Sequence, residues 1–151
     1  KKELSFSKAP YSFDEVYQSI DSVLPSIEIV DSRFNDWTVI GINNLIADNA
    51  ANAYWIYGEE INNLSSFNFS DHLVTLYIND KIIDKGNANN VLDNPINSLT
   101  WLLNTLAIQN KPLPKDNYIS TGTCTPAIPI NIGDNICADF GKLGKVNFNF
   151  I

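Results

Sequence analysis

The order of apolar and polar residues divides the start of the chain into a strand, a helix and a second strand. Residues 3–8 alternate between the two kinds, which is typical of a strand. The stretch 12–24 opens with a capping-box pattern and continues with apolar residues at helical spacing, so it predicts a helix that Pro25 ends. Residues 26–30 alternate again, and this alternation places Glu28 on the face opposite to its isoleucine neighbours.

The middle of the chain predicts a compact turn, a strand and a hairpin. Residues 46–53 are mostly small and predict a short helix or tight turn, and the aromatic run after them predicts a strand that ends at Gly58. Residues 59–70 are mostly polar and predict a loop. Asn79-Asp80 lies between two apolar runs and predicts a two-residue hairpin turn.

The last third predicts a second main helix followed by strands. Asn94 is the expected N-cap, Pro95 the first helical residue, and the leucines that follow form an apolar stripe. The remainder predicts strands broken at 133–134 and 141–144. We therefore predict one domain over 1–151 of the α+β class, strand-rich, with a β-roll or rolled sheet and two main helices.

Composition narrows the possible partners and the compartment. The net charge is −7, and the lysines and arginines are scattered, which argues against binding to nucleic acid or an anionic membrane. No apolar run approaches the ~18 residues of a membrane span. Cys124 and Cys137 lack the CxxC spacing and predict free thiols in a reducing compartment, hence a cytoplasmic protein.

Two glutamates that neighbour apolar residues are candidate metal ligands. A buried carboxylate is unfavourable unless it is paired or bound to a cation. For Glu28 the alternatives are a buried ion pair with Arg33 or a backbone contact, and for Glu3 the alternative is a solvated side chain near the terminus. Carboxylates without clustered His or Cys favour a hard cation such as Mg²⁺ or Mn²⁺, which can chelate a 2-oxo acid and stabilise its enolate.

Other polar residues allow both a structural and a chemical interpretation. Asp48 and Asn49 are candidate site residues, but they are also residue types that turns and helix ends prefer. The segment 31–33 is either an exposed strand end or part of a structural salt bridge. His72 has no accompanying nucleophile motif and is predicted to face solvent.

Several segments in order resemble the 2-keto-4-pentenoate hydratase family of the fumarylacetoacetate hydrolase superfamily. They are 13–15 (FDE), 23–33 (VLPSIEIVDSR), Trp37, 46–50 (IADNA), Gly58, 91–95 (VLDNP), 101–102 (WL), Leu113, 119–122 (ISTG), 133–134 (GD) and 140–146 (FGKLGKV). The resemblance spans almost the whole chain. It implies a fold like the superfamily's C-terminal domain.

The resemblance also implies an activity. The family's hydratases use a divalent metal to add water to a 2-hydroxy-2,4-dienoate, which gives a 4-hydroxy-2-oxo acid. The matching positions imply that Glu3 and Glu28 bind Mg²⁺ or Mn²⁺ and that Asp48 and Asn49 line the pocket and orient water or substrate. By the same resemblance, a small 2-oxo acid or 2-hydroxydienoic acid contacts three further residues, which are Arg33, Thr121 and Gly122. A homo-oligomer is expected by analogy.

Departures from the family pattern motivate rival functions. Lys1 lies where the family has a third metal glutamate, Ala51 replaces a serine, and Asn94 replaces a histidine. We expect the chain to correspond to the metal-site portion without the family's N-terminal segment, which contributes a lysine. The rivals are a catalytically silent paralogue that acts as a binding or assembly partner, and an acylpyruvate hydrolase or 2-oxo acid decarboxylase.

Overall fold

The computed structural model describes residues 4, 6–65 and 67–151. Lys1 and Glu3 lie outside the described residues, so the prediction that Glu3 binds a metal remains a prediction. Phe6–Lys8 forms a 3₁₀ turn rather than the strand predicted for 3–8, while Leu4 makes one antiparallel bridge to Leu113.

Three α-helices occur in the described part of the chain: α1 (Phe13–Ser19), α2 (Ile42–Ala47) and α3 (Pro95–Ile108). The capping box before α1 is confirmed, because the Ser12 hydroxyl accepts from the Glu15 N–H and the Glu15 carboxylate accepts from the Ser12 N–H at 2.8 Å. The helix ends earlier than the predicted residue 24. Val23 instead exchanges backbone hydrogen bonds with Ile61, so a tertiary contact overrides the helical pattern.

The start of α3 follows the prediction. The Asn94 side chain accepts a hydrogen bond from the Ile96 N–H at 2.9 Å, and Pro95 is the first helical residue. Helices α1 and α3 pack together through a buried apolar cluster. Its members are Tyr11, Val16, Leu64, Phe69, Ile96 and Leu103.

The strands form two antiparallel sheets within the described residues. The site sheet pairs β1 (Ser26–Val30) with β2 (Asn52–Tyr57). The four-stranded sheet has the order β4-β3-β5-β6, with β3 Leu73–Ile78, β4 Lys81–Asn87, β5 Asn135–Asp139 and β6 Lys145–Asn149. The α+β class is confirmed, but the strands divide between two sheets instead of forming one continuous sheet.

The connections between strands match the prediction in part. Asn79 and Asp80 have φ of 51° and 64°, as a type I′ hairpin turn requires. Residues 115–132 form no strand, although strands were predicted there. Pro126 and Pro129 lack the N–H that a strand ladder needs, and this irregular segment instead lies against β4, where the Cys124 carbonyl is close to Gly86. None of the described helices is both long and apolar enough to span a membrane.

Candidate functional site

A cavity of about 1090 Å³ lies between the site sheet, the four-stranded sheet and the irregular segment 115–132, of which residues 115–130 line it. Both sheets contribute to its wall, as do α3 and the loop before β1. Its volume is slightly above the range for small-molecule sites, ~300–1,000 Å³. Glu28, Thr121 and Gly122 line this cavity, so the fold brings together three of the predicted site residues.

Glu28 is an exposed carboxylate on β1. One of its oxygens, Oε1, accepts a hydrogen bond from the Asn52 amide at 2.7 Å. The predicted alternative of a buried ion pair with Arg33 is wrong, because Arg33 pairs with Asp48. Glu28 is therefore a solvated acid with one oriented oxygen, and it is available to a ligand in the cavity.

Asp48 is a buried acid, with 2% of its surface exposed, and it does not line the cavity. Its carboxylate accepts from the Ser32 hydroxyl at 2.5 Å and from the Arg33 guanidinium at 2.6 Å. These hydrogen bonds, first from Ser32 and then from Arg33, lower the pKa of the Asp48 carboxyl below its usual range. Of the two interpretations of 31–33, the salt bridge is confirmed.

Asn49 begins a left-handed turn and, like Asp48, is not among the residues that line this cavity, so their contact with water or substrate remains a prediction. Asn49, Ala50 and Ala51 have φ of 55°, 55° and 58°. The two alanines each cost ~1–2 kcal/mol relative to ordinary backbone, whereas asparagine adopts this conformation more readily. The Ala51 carbonyl accepts from the Asp31 N–H at 2.9 Å, which ties the turn to the end of β1 and places Asn52 beside Glu28.

Thr121 and Gly122 reach the cavity because the irregular segment docks closely on β4. A Cβ on Gly86 would lie 2.1 Å from the Cys124 carbonyl oxygen, so only glycine fits there. The Asn90 side chain donates to the same carbonyl at 2.8 Å. The sequence indicated the cavity residues of this segment only through the family resemblance, and it did not indicate Gly86.

An aromatic cluster in the cavity region was not predicted. It consists of Trp55 and Tyr57 on β2 and Tyr118 on the irregular segment. The Tyr118 hydroxyl donates to Glu60, whose other carboxylate oxygen accepts from Ser22 at 2.9 Å. Alternation along 54–57 could have placed Trp55 and Tyr57 on one face, but no sequence signal joined Tyr118 or Glu60 to them.

These hydrogen bonds shift the acidity of both partners. The bond from Tyr118, followed by that from Ser22, lowers the pKa of Glu60 below its usual range. The same bond raises the pKa of Tyr118, because loss of its proton would leave two negative charges in contact. Glu60 is therefore ionised and Tyr118 neutral at pH 7.

His72 and the two cysteines are poor candidates for chemistry. His72 is half-buried rather than solvent-facing, because its Nε2 donates to the Phe140 carbonyl at 2.6 Å. Cys124 and Cys137 are free, as predicted, and half-buried. Burial raises the pKa of both thiols, which keeps them protonated and weakly nucleophilic.

The fit of a metal ion to the cavity depends on its oxygen donors. Glu28 offers the hard oxygen that Mg²⁺ prefers. Among residues 4, 6–65 and 67–151, however, no group of three or more His, Cys, Asp or Glu side chains could hold a metal. The described residues thus contribute one carboxylate of the predicted pair and not a complete site.

Comparison with known proteins points to one group of enzymes. No protein-family model matches the chain. It is similar to 4-oxalocrotonate decarboxylase of Pseudomonas putida, with 30% identity over 91% of the chain and 52% of that protein. It is also similar to 2-keto-4-pentenoate hydratase 1 of Dechloromonas aromatica, with 26% identity over 93% of the chain and 53% of that protein. The chain thus spans about half the length of the curated relatives it matches.

A solved structure extends the similarity to the fold. The 4-oxalocrotonate decarboxylase from Pseudomonas putida G7, complexed with magnesium and adipate, superposes with a TM-score of 0.90 at 30% identity. The match covers 100% of this chain and 56% of that one. The fold is therefore shared with a relative whose structure was solved with magnesium and adipate.

Proposed function

We propose that this chain, which is similar to about half of a 4-oxalocrotonate decarboxylase and of a 2-keto-4-pentenoate hydratase, is the metal-site portion of a divalent-metal-dependent hydratase. The proposed reaction adds water to a 2-hydroxy-2,4-dienoate and yields a 4-hydroxy-2-oxo acid. The observation that carries the proposal is Glu28, an exposed carboxylate in the wall of a large cavity. Thr121 and Gly122 share that cavity.

Glu28 and Glu3 would hold the metal, Mg²⁺ or Mn²⁺. The ion supplies the positive charge that attracts the carboxylate and keto oxygens of a 2-oxo acid. Asn52 donates to Oε1 of Glu28 and so holds the carboxylate in one orientation, with Oε2 free of that bond. Such support of a ligand from a neighbouring side chain commonly changes metal affinity by ~10–100-fold.

The remaining predicted residues divide into two groups. Thr121 offers a hydroxyl and Gly122 a backbone N–H, so both can donate to substrate oxygens from the cavity wall. Asp48 and Arg33, whose side chains pair outside the cavity lining, favour a positioning role: they hold the turn that brings Asn52 to Glu28. Asn49 belongs to that turn.

Metal titration tests the proposal most directly. Calorimetric titration with Mg²⁺ should give an affinity at least about tenfold lower for Glu28→Gln than for the parent chain, because glutamine retains the shape but not the charge. Glu59→Gln, which changes an exposed carboxylate outside the cavity lining, is the matched control and should bind as the parent does. Equal affinity in Glu28→Gln would sink the assignment. Loss of 2-hydroxydienoate absorbance with Mg²⁺ then tests turnover.

The second candidate is a 2-oxo acid decarboxylase. It is favoured by the 30% identity and the TM-score of 0.90 to 4-oxalocrotonate decarboxylase. Both substrates carry a carboxylate beside an oxygen on C2, a hydroxyl in the dienoate and an oxo group in the decarboxylase substrate, so a metal can chelate either and the cavity suits both. Carbon dioxide release from an oxo dicarboxylate, measured beside hydration of a dienoate, separates the two.

We also propose that the two sheets are opposite walls of one roll, since both line the same cavity.

For assembly we propose a homo-oligomer in the cytoplasm. Free thiols support a reducing compartment. Exposed apolar residues on and before α2, namely Val39, Ile42 and Ile46, support self-association. Light scattering after gel filtration measures the mass, and a monomer would contradict the proposed assembly.

A further inference from the structure

The aromatic cluster lies on the face of the site sheet that carries Glu28. Glu28 pairs directly with Trp55 across the two strands, and Ser26 pairs with Tyr57. Directly paired residues in an antiparallel sheet project to the same face, with Cβ atoms ~5 Å apart. Trp55 is therefore the immediate neighbour of Glu28, and Tyr57 follows two residues further along β2.

Tyr118 completes this aromatic surface from a different part of the chain. Its ring stacks on Tyr57 with centroids 5.4 Å apart and 21° between the planes. It meets Trp55 edge-on at 6.4 Å and 78°. Trp55 and Tyr118 both line the cavity. The three rings form a continuous apolar surface that begins beside Glu28.

Glu60 holds the Tyr118 ring in this position. Both of its carboxylate oxygens are engaged, one by Tyr118 and one by Ser22. The contact joins three segments that are distant in sequence: the loop before β1, the loop after β2 and the irregular segment. Since Tyr118 donates its only proton to Glu60, its hydroxyl faces a ligand as an acceptor rather than a donor.

Trp55 has a feature that its role in the fold does not explain. Its indole nitrogen is buried and makes no hydrogen bond with the described residues. A buried donor without a partner is unfavourable, and phenylalanine or leucine would avoid it. This observation favours a role for the large ring surface of Trp55 rather than for its N–H.

The charge around the aromatic cluster is negative. Besides Glu28, four acids contribute to the described lining of the cavity: Asp21, Asp31, Glu60 and Asp116. Lys115, which also lines it, has its ammonium 3.8 Å from the Asp116 carboxylate. A ligand carboxylate placed near Glu60 would meet repulsion that falls with added salt.

We propose that Trp55, Tyr57 and Tyr118 form the subsite for the tail of the substrate, and that Glu60 makes this subsite select an uncharged tail over one that ends in a carboxylate. The proposal rests on the proposed function, in which the 2-oxo acid end of the substrate binds at Glu28. Trp55 and Tyr118 contact the tail, while Glu60 both positions Tyr118 and repels an anionic tail. The subsite therefore favours the substrate of a dienoate hydratase over the dicarboxylate of an oxalocrotonate decarboxylase.

Three unreactive 2-oxo acids test the subsite by calorimetry on the full chain with Mg²⁺. Pyruvate has no tail, 2-oxohexanoate has an uncharged tail, and 2-oxoadipate has a tail of the same length with a terminal carboxylate. At low salt we expect 2-oxohexanoate to bind about tenfold more tightly than 2-oxoadipate. Glu60→Gln, which can keep both hydrogen bonds, should reduce that ratio to about threefold or less, whereas the control Glu59→Gln should preserve it.

The ring contribution is tested with Trp55→Ala. It should weaken 2-oxohexanoate binding about tenfold and leave pyruvate binding unchanged. An equal loss for pyruvate would show that Trp55 only supports Glu28, and equal binding of the two six-carbon acids by the parent chain would also overturn the subsite. If none of the three acids binds, the proposed function fails and the subsite with it. If pyruvate binds while the tail makes no difference, only the subsite fails.

Discussion

The two sheets of this protein are held together by different forces. In the four-stranded sheet, four apolar side chains are buried: Val74, Ile136, Ala138 and Val146. In the site sheet no residue of β1 or β2 is fully buried. A two-stranded sheet is at best marginally stable without further packing. The four-stranded sheet is therefore stabilised by apolar burial, and the site sheet depends on contacts at its ends.

Those end contacts are polar. At one end the Asp48 carboxylate binds Ser32 and Arg33, and at the other the Gly58 N–H donates to the Pro25 carbonyl at 2.9 Å. Such contacts determine orientation more precisely than apolar packing does, because hydrogen bonds are directional. Glu28 is therefore positioned by the hydrogen bonds at the two ends of the site sheet, here called the polar frame. The face of the sheet that carries Glu28 remains free for a ligand.

The largest expected effect is a loss of stability in the four-stranded sheet. Gly86→Ala would place a methyl group 2.1 Å from the Cys124 carbonyl oxygen, and the obstacle is backbone that cannot rotate away. We expect the free energy of unfolding in urea to fall by about 3 kcal/mol. The neighbouring exposed residue provides the control: Lys85→Ala should change stability by less than about 0.5 kcal/mol. Similar stability of both variants would contradict the close docking of the irregular segment.

Removal of the polar frame should have the next largest effect. Asp48→Ala leaves Ser32 and Arg33 without their shared acceptor, so we expect Tm to fall by about 5 °C. Because Asn52 then loses its anchored turn, Mg²⁺ affinity should fall as well. Glu59→Ala removes an exposed carboxylate outside the cavity lining and should change neither quantity. An Asp48→Ala variant with unchanged Tm would show that the frame is dispensable.

Acid should weaken the site sheet through the same carboxylate. Ser32 and Arg33 lower the pKa of Asp48 in the folded chain, so protonation favours unfolding. The contribution of Asp48 is fully present above the unfolded pKa of ~3.9 and is lost as pH falls through the lower folded value. Between about pH 5 and about pH 2.5, Asp48→Asn should therefore lose less stability in urea than the parent chain. A steeper loss in the variant would contradict this sign.

The smallest effect should be a gain in stability. Ala50 has φ of 55°, and glycine adopts that conformation without strain. Ala50→Gly should raise the free energy of unfolding by about 0.5–1 kcal/mol, net of the greater freedom of glycine in the unfolded chain. Ala53→Gly, two residues into β2, should instead lower it by about 1 kcal/mol. A loss of stability in both variants would indicate that the left-handed turn carries no strain.

Local signals in the sequence were reliable where short-range chemistry decides the structure. The Ser12 capping box, the Asn94 cap and the Asn79-Asp80 turn were all predicted and are present. The prediction failed where distant chain competes with local preference. The helix predicted to residue 24 stops because Val23 pairs with Ile61, and strands predicted within 115–132 do not form.

The candidate site shows the same contrast between what the local sequence indicates and what distant contacts decide. Glu28 was identified from a carboxylate among apolar residues and from the family resemblance, and its place in the cavity wall supports it. Asp48 carried the same resemblance, yet its side chain is directed to Arg33, 15 residues away. Which of two acids faces a cavity depends on the path of the chain between them, and spacing alone does not encode that path.

The sequence by itself determined the α+β class, the helix starts, the hairpin and the resemblance to the hydratases, because each depends on contacts within a few residues or on an ordered set of motifs. Tertiary structure alone decided that Asp48 is buried against Ser32 and Arg33, that Gly86 admits the segment bearing Thr121, and that Tyr118 joins Trp55 beside Glu28. Those outcomes depend on residues tens of positions apart meeting in space. Their free energies come from burial and hydrogen bonds that exist only once the chain has closed.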